Sequence, residues 1–498
     1  MQLQFHKNPL SCLQQIKDQV LTQEQTLELR LEEDKPDVGS ILGSWGQVLV
    51  RGKQWHSGTM ELSCGVMVWT MYQPEDGSAP QMVEGWLPFS FKWELPPTDR
   101  DGRMCVTTCL RSVDARVVSA KKLMLRASVS VLGEAWIGSQ IEIPGVPDLP
   151  EDVCLLKQTY PLMLLREAGE KAFTLEEELK LPEAAPAMEQ LLQSSLQPEL
   201  IDRKVMGDKV VFRGVCLLHI LYRDVDGGIC TWDFELPFSQ FSDLEREYGP
   251  DARASIVIET TSLEAEPTEN RKIHLRAGLT GQYLISDRTQ AELVEDAYSP
   301  RRTITTQANV LSVPAVLEEQ TQTIHAEQIF QEPCSRVVRV TFFPDQPQAA
   351  RDPGGAQTDL CAQFNILYYD HEQNLRSASA KWSNPWSLGA DPNVRVRLTA
   401  QPTGTPQALL GAQTTAQADL LLDVRTTLDQ EIPVICGLEI GEMTQSDPQR
   451  PSLILRRAGH DTLWQIAKST GSTEEAISKA NGLQGPPDPS QMLLIPLI

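Results

Sequence analysis

Cys105 and Cys109 stand in a C-x3-C spacing, close enough for two thiolates to share a metal ion. No second Cys or His pair lies nearby, and the segment reads as a strand, so free thiols are the simpler reading. The seven histidines (His6, His56, His219, His274, His325, His371 and His460) are dispersed and form no H-x-x-x-H pair. Glu176-Glu177-Glu178 offers carboxylates of the kind that cleave glycosides in pairs. They lie in a charged run that reads as a solvated face. Trp86, Trp93, Trp232 and Trp382 fall near hairpin corners, where indoles stack on sugars or fill small β cores; core is the favoured reading. The chain has neither a G-x-x-x-x-G-K-[ST] phosphate loop nor a G-x-S-x-G nucleophile elbow. The expectation is a non-enzyme with no catalytic residues, no cofactor and no metal. A hydrolase with its site between β units is a distant third reading.

What remains is the chemistry of binding, and it is densest at the C-terminus. Gly459-His460-Asp461-Thr462-Leu463-Trp464-Gln465-Ile466 precedes Ser472-Thr473-Glu474-Glu475-Ala476-Ile477 and then Asn481-Gly482-Leu483. Asp461 or Thr462 caps a helix by accepting from free backbone N–H groups. Leu463, Ile466 and Ala467 give that helix one apolar face. Ser472 or Thr473 caps a second helix, with Ala476, Ile477 and Ala480 inward. Asn481-Gly482 ends it, because these residues tolerate positive φ. Leu453–Leu455 and Leu493–Ile495 read as two strands that flank the helices.

Composition limits what is bound. The formal net charge of −23 and pI near 4.8 argue against nucleic-acid phosphates and anionic lipid. Hydrophobic residues make up 41% of the 498, enough for several ordinary cores. No run approaches the roughly 18 apolar residues of a membrane span, and Met1–Pro9 lacks a signal-peptide core. A cytoplasmic protein is expected. Cys64, Cys216, Cys361 and Cys436 lie in apolar surroundings and read as core residues.

The rest of the chain repeats with a period of about 150 residues. Cys64–Tyr72 aligns with Gly214–Tyr222 and, more loosely, with Cys361–Tyr368. Leu87-Pro88-Phe89-Ser90 recurs as Leu236-Pro237-Phe238-Ser239 and as Asn384-Pro385-Trp386-Ser387. Leu125-Arg126-Ala127 recurs as Leu275-Arg276-Ala277. Between tyrosine and Pro-aromatic-Ser corner lie acidic turns: Pro74-Glu75-Asp76-Gly77, Asp224-Val225-Asp226-Gly227-Gly228 and Asp370-His371-Glu372-Gln373-Asn374. Short segments such as Val48–Val50 and Met67–Trp69 favour strands. A helical piece is expected at Ala187–Ser195, where Met188, Leu191 and Leu192 share a side.

These repeats resemble SPOCS domains, and the C-terminal segment resembles a LysM module, a βααβ unit that binds N-acetylglucosamine polymers or, in some proteins, other proteins. Asp296-Ala297-Tyr298-Ser299-Pro300 also fits the SPOCS pattern. Together they are similar to SipL-like spore coat morphogenetic proteins. The resemblance implies a mainly β chain of three related antiparallel domains in tandem (1–165, 166–305 and a diverged 306–444). A linker (445–451) and a LysM domain (452–498) follow. It implies a scaffold in the mother-cell cytoplasm, at the forespore surface. There the LysM module would contact the coat-basement morphogenetic ATPase and other coat proteins. The implied contact residues are Gly459, Asp461, Thr462, Trp464, Asn481, Gly482 and Leu483. His460 departs from the usual Gly-Asp-Thr order and reshapes that loop. The alternative is a wall-associated protein that binds peptidoglycan or N-acetylglucosamine polymer. Neither reading involves nucleic acid or membrane insertion.

Overall fold

Alternation along β-strands sends successive side chains to opposite faces, and Leu87 to Trp93 shows it plainly. Leu87, Phe89, Phe91 and Trp93 are buried, while Pro88, Ser90 and Lys92 between them face solvent. The computed structural model describes residues 2–444 and 451–498, apart from Ser57, Asn270, Pro353, Gly354, Ala390 and Pro392. The expected linker therefore lies outside the described residues except for Pro451. So do two residues of the Gly-rich stretch at 351–355. Strand accounts for 77% of the structure and helix for 3%. The chain is mainly β.

After a short β1 (Gln2–Gln4), the first set of strands is β2 (His6–Arg30), β3 (Val38–His56), β4 (Thr59–Pro74), β5 (Gln81–Glu94), β6 (Gly102–Ser119) and β7 (Lys122–Gly145). They form two antiparallel sheets, ordered β2-β7-β6 and β3-β4-β5. Their inner faces share one core containing Val66, Phe91, Trp93, Leu123 and Val129. This is a sandwich.

The second set repeats the plan with β8 (Cys154–Lys180), β9 (Met188–Asp224), β10 (Ile229–Tyr248), β11 (Arg253–Glu269) and β12 (Lys272–Tyr298), paired as β8-β12-β11 and β9-β10. The long β9 doubles back at Gly207, whose φ is +63°. Beyond that point the Tyr222 hydroxyl donates to the Pro186 carbonyl at 3.3 Å. The first set has the same bond, from Tyr72 to Pro36 at 3.2 Å. The third set is β13 (Arg302–Phe330), β14 (Cys334–Pro344), β15 (Ala350–Asp352), β16 (Gly355–Asp370), β17 (Leu375–Leu388), β18 (Arg395–Leu410) and β19 (Thr414–Met443). Its sheets are β13-β19-β18 and β14-β16-β17, with β15 added to β16 and β1 to β19. Trp386 fills the corner position of Phe89 and Phe238 and is buried in the third core.

Three expectations fail here. Ala187–Ser195 is not helical, because β9 starts at Met188. Met188 packs in the second core and Leu192 in a different one, shared by all three sets. A strand buried on both faces loses its alternation and mimics helical spacing. Cys361 is exposed, since it sits on the opposite pleat from buried Leu360 and Ala362. Trp232 is likewise 37% exposed, whereas Trp93 is buried and Trp86 and Trp382 are half-buried.

The longest strands each serve two cores. One half of β2 lies over its own sandwich, and the other half reaches a junction common to the three sets. The change falls at a bulge. Pairing slips at Ile16 in β2, Arg166 in β8 and Leu317 in β13, at matching places in the repeat. An extra residue bends the strand and re-aims its side chains. Beyond the bulges, Cys12, Ile141, Leu162, Leu293, Val313 and Ile432 meet in one shared core. Pairing of β1 with β19 closes the circuit from the chain's start to the third set.

Sheet edges are occupied by side chains from neighbouring sets. Gln282 donates to the Val106 carbonyl at 2.8 Å and accepts from its N–H at 3.0 Å. Glu259 accepts from the Thr108 N–H at 2.9 Å and its hydroxyl at 2.6 Å. Such caps blunt edges that would otherwise template foreign strands.

Candidate functional site

The C-terminal unit is β20 (Leu453–Arg457), α1 (Leu463–Thr470), α2 (Glu474–Asn481) and β21 (Met492–Pro496), with the two strands antiparallel. Thr462 caps α1, and Gln465 completes a reciprocal box: Thr462 Oγ1 accepts from the Gln465 N–H at 3.2 Å, and Gln465 Oε1 accepts from the Thr462 N–H at 2.9 Å. Gly471 ends α1 at φ +68°. Thr473 caps α2, and Gly482 ends it at φ +62°. Ile466, Ala467, Ile477, Leu493 and Ile495 form the core. Ala476 is half-buried, but Ala480, expected inward, is exposed, because the short α2 turns only Ile477 fully to the sheet.

The structure brings most of the expected contact residues to two neighbouring loops. Gly459 (φ +65°) donates to the Pro489 carbonyl at 3.0 Å, tying the loop before α1 to the loop after α2. Asp461 and Thr462 are exposed there, with Asp461 ion-paired to Arg456. Gly482 is exposed, and Leu483 is half-buried against the module core. Asn481 has a structural duty as well. Its amide donates to the Leu494 carbonyl at 2.7 Å and accepts from the Leu494 N–H at 2.7 Å, extending the edge of β21.

Trp464 is placed elsewhere. It is buried, with its ring 4.7 Å from that of Tyr298 and its Nε1–H donating to Asp296 Oδ2 at 2.9 Å. Lys468 reaches both Asp296 oxygens at 2.7 Å. The Tyr298 hydroxyl donates to the Ser472 carbonyl at 3.0 Å. Burial pushes the Asp296 carboxyl up, but the bonds from Lys468 and Trp464 outweigh it and hold the group below its ordinary range. Burial, reinforced by Cys154, pushes the Tyr298 phenol well up, so it stays a hydrogen-bond donor. The unit is thus docked on the end of the second set. Asp296 and Tyr298 belong to a motif visible in the sequence. Their contact with residues some 170 positions later has no sequence signal.

Opposite the helices, the outer sheet face carries Leu453, Leu455, Met492 and Leu494, all exposed. The unit holds four Lys/Arg and four Asp/Glu, so the whole net charge of −23 resides in the preceding β structure. Among the described residues no group of His, Cys, Asp and Glu is arranged to hold a metal, and no helix is long and apolar enough to cross a membrane. Cys105 and Cys109 are buried free thiols, both pushed up by burial.

Comparison with known families gives two matches. Residues 187–266 match the SipL SPOCS domain, covering β9, β10 and most of β11. Residues 460–496 match the LysM domain. The chain therefore carries a SPOCS domain and a LysM domain. Both domains are non-catalytic binding domains, and the SPOCS match ties the chain to sporulation. No curated protein and no solved structure matches it. The LysM match starts at His460, so it spans the Thr462 cap, both helices and β21 of the docked unit.

Proposed function

We propose that this protein is a non-enzymatic adaptor in spore envelope assembly, acting in the mother-cell cytoplasm at the forespore surface. Three related β domains form its body. The LysM domain carries the partner site, on the loops holding Gly459, Asp461 and Thr462 and the turn at Asn481, Gly482 and Leu483. The observation that carries this reading is the orientation of the docked LysM domain. Trp464 and Lys468 are engaged by Asp296 and Tyr298, while the paired loops stay exposed. Docking presents those loops in a fixed direction and reduces the ordering cost of a second contact. The neutral charge of the module favours hydrogen-bonded and apolar recognition over ion pairing.

The partner we assign is the coat-basement morphogenetic ATPase, with other coat proteins meeting the β body. Removing residues 452–498 is expected to abolish recovery of that ATPase in a pull-down; undiminished recovery refutes the assignment. A second reading, binding of peptidoglycan or N-acetylglucosamine polymer, is supported by the LysM match itself. Sedimentation with purified peptidoglycan separates the two, since the adaptor reading expects the protein to stay in the supernatant.

A further inference from the structure

Where the three sets of strands meet, they line a half-open cavity of about 350 Å³ that takes walls from all three. That is near the lower end of small-molecule pockets, roughly 300–1,000 Å³. Val338 and Phe343, which face away from the sandwich core that holds Val340 and Phe342, supply an apolar wall.

Arg339, a half-buried cation in this wall, has no carboxylate within ion-pair distance among the described residues. Arg339, in β14, donates to Gln193 Oε1 and, through Nη2, to Ser195 Oγ at 3.1 Å, both neutral acceptors. It makes no ion pair among the described residues. The buried guanidinium groups do: Arg397 pairs with Glu134 at 2.6 Å and Arg425 with Glu319 at 2.7 Å. Asp233 shares the cavity wall, but its carboxylate is held by His219 Nδ1 at 2.8 Å. Burial lowers Arg339 to about 10 even with the Asp233 charge opposing it. Beside it, the Gln193 Nε2 donor is buried and has no partner. An unpaired buried charge is costly, and one facing a cavity is relieved by whatever anion enters.

We propose that this cavity binds a carboxylate on a short apolar stem, with Arg339 gripping the acid and the apolar wall covering the stem. The acid belongs either to a free small molecule or to the last residue of a peptide, since both present the same group.

Calorimetric titration of the full chain tests this with octanoate against octanamide, and with a Gly-Val-Leu peptide as free acid against its amide. At least one acid is expected to bind, with its amide weaker by about tenfold or more, as for a lost charged hydrogen bond. Octanoate binding alone assigns the site to small acids. Peptide binding alone assigns it to chain termini. Binding of both leaves the shared chemistry confirmed. Arg339→Met should erase the preference for acid over amide. Thr405→Trp, at an exposed position of the wall, should block the acid; because Thr405 also hydrogen-bonds Asp233, Thr405→Val, which removes that bond without adding bulk, is the control and should keep acid binding. Failure of both acids, equal binding of acid and amide, or unchanged acid binding in both Arg339→Met and Thr405→Trp would overturn the proposal.

Discussion

The junction among the three strand sets and the dock of the LysM domain are both interfaces within one chain, but they are built differently. The junction buries residues from six long strands and encloses charges: Glu134 and Arg397 are 1% and 8% exposed at the side chain. The dock turns on Trp464, Tyr298, Asp296 and Lys468, and its ion pair is open to water, with side chains 28% and 45% exposed. Enclosed charges are costly to break, whereas exposed ones are screened and weak. The body should therefore behave as one cooperative unit, and the LysM domain as a separable one.

The sharpest way to break that contrast is Glu134→Ala, which strands Arg397 in the junction. A loss of about 3–5 kcal/mol is expected, read as a lower midpoint in chemical denaturation of the whole body. A shift confined to one strand set would show that the junction does not couple the three.

The pH dependence should also come from the junction. Burial raises Glu259 to about 7, against the lowering effect of its Thr108 bonds and the Lys53 charge. The folded state thus holds its proton more tightly than the unfolded one. The contribution to stability is complete below about 4.5, the group's ordinary value, and is lost as pH rises to about 7. The loss over that window is on the order of 3 kcal/mol. Glu259→Gln should flatten the slope in thermal melts at pH 5 and pH 8; an unchanged slope would assign it to other groups.

At the dock, Asp296→Ala is expected to cost about 1 kcal/mol of docking, given the exposure of its partner. The body midpoint should stay fixed while amide hydrogen exchange over the dock-facing helix 463–470 accelerates. Equal exchange in both proteins would mean that the ion pair holds nothing. The smallest effect compares turns. Gln373 sits at φ +65°, where its counterparts Gly77 and Gly227 have φ +76° and +86°. Gln373→Gly should stabilise the third set by about 0.5–1 kcal/mol, visible as a small rise in its melting temperature.

Legibility in the sequence followed the range of the interaction. Caps, turns and corners are local, so a cap at Asp461 or Thr462, Gly482, the Asp-rich turns and the Pro-aromatic-Ser corners could be read directly, and the structure selects Thr462 as the cap. The strand character of 188–195 could not, because Met188 and Leu192 face two different cores. The bulges at Ile16, Arg166 and Leu317 carry no residue-type signal, being an odd Ile, Arg and Leu in otherwise regular strands. Trp464 was recognisable as part of the module, but its partners Asp296 and Tyr298 are fixed only by the dock.

The adaptor account stands or falls on where the protein works. Fluorescence imaging of the tagged full chain in sporulating cells is expected to show a ring around the forespore, lost when residues 452–498 are removed. Signal at the vegetative septum or the outer wall, or a ring that persists without the LysM domain, would contradict it.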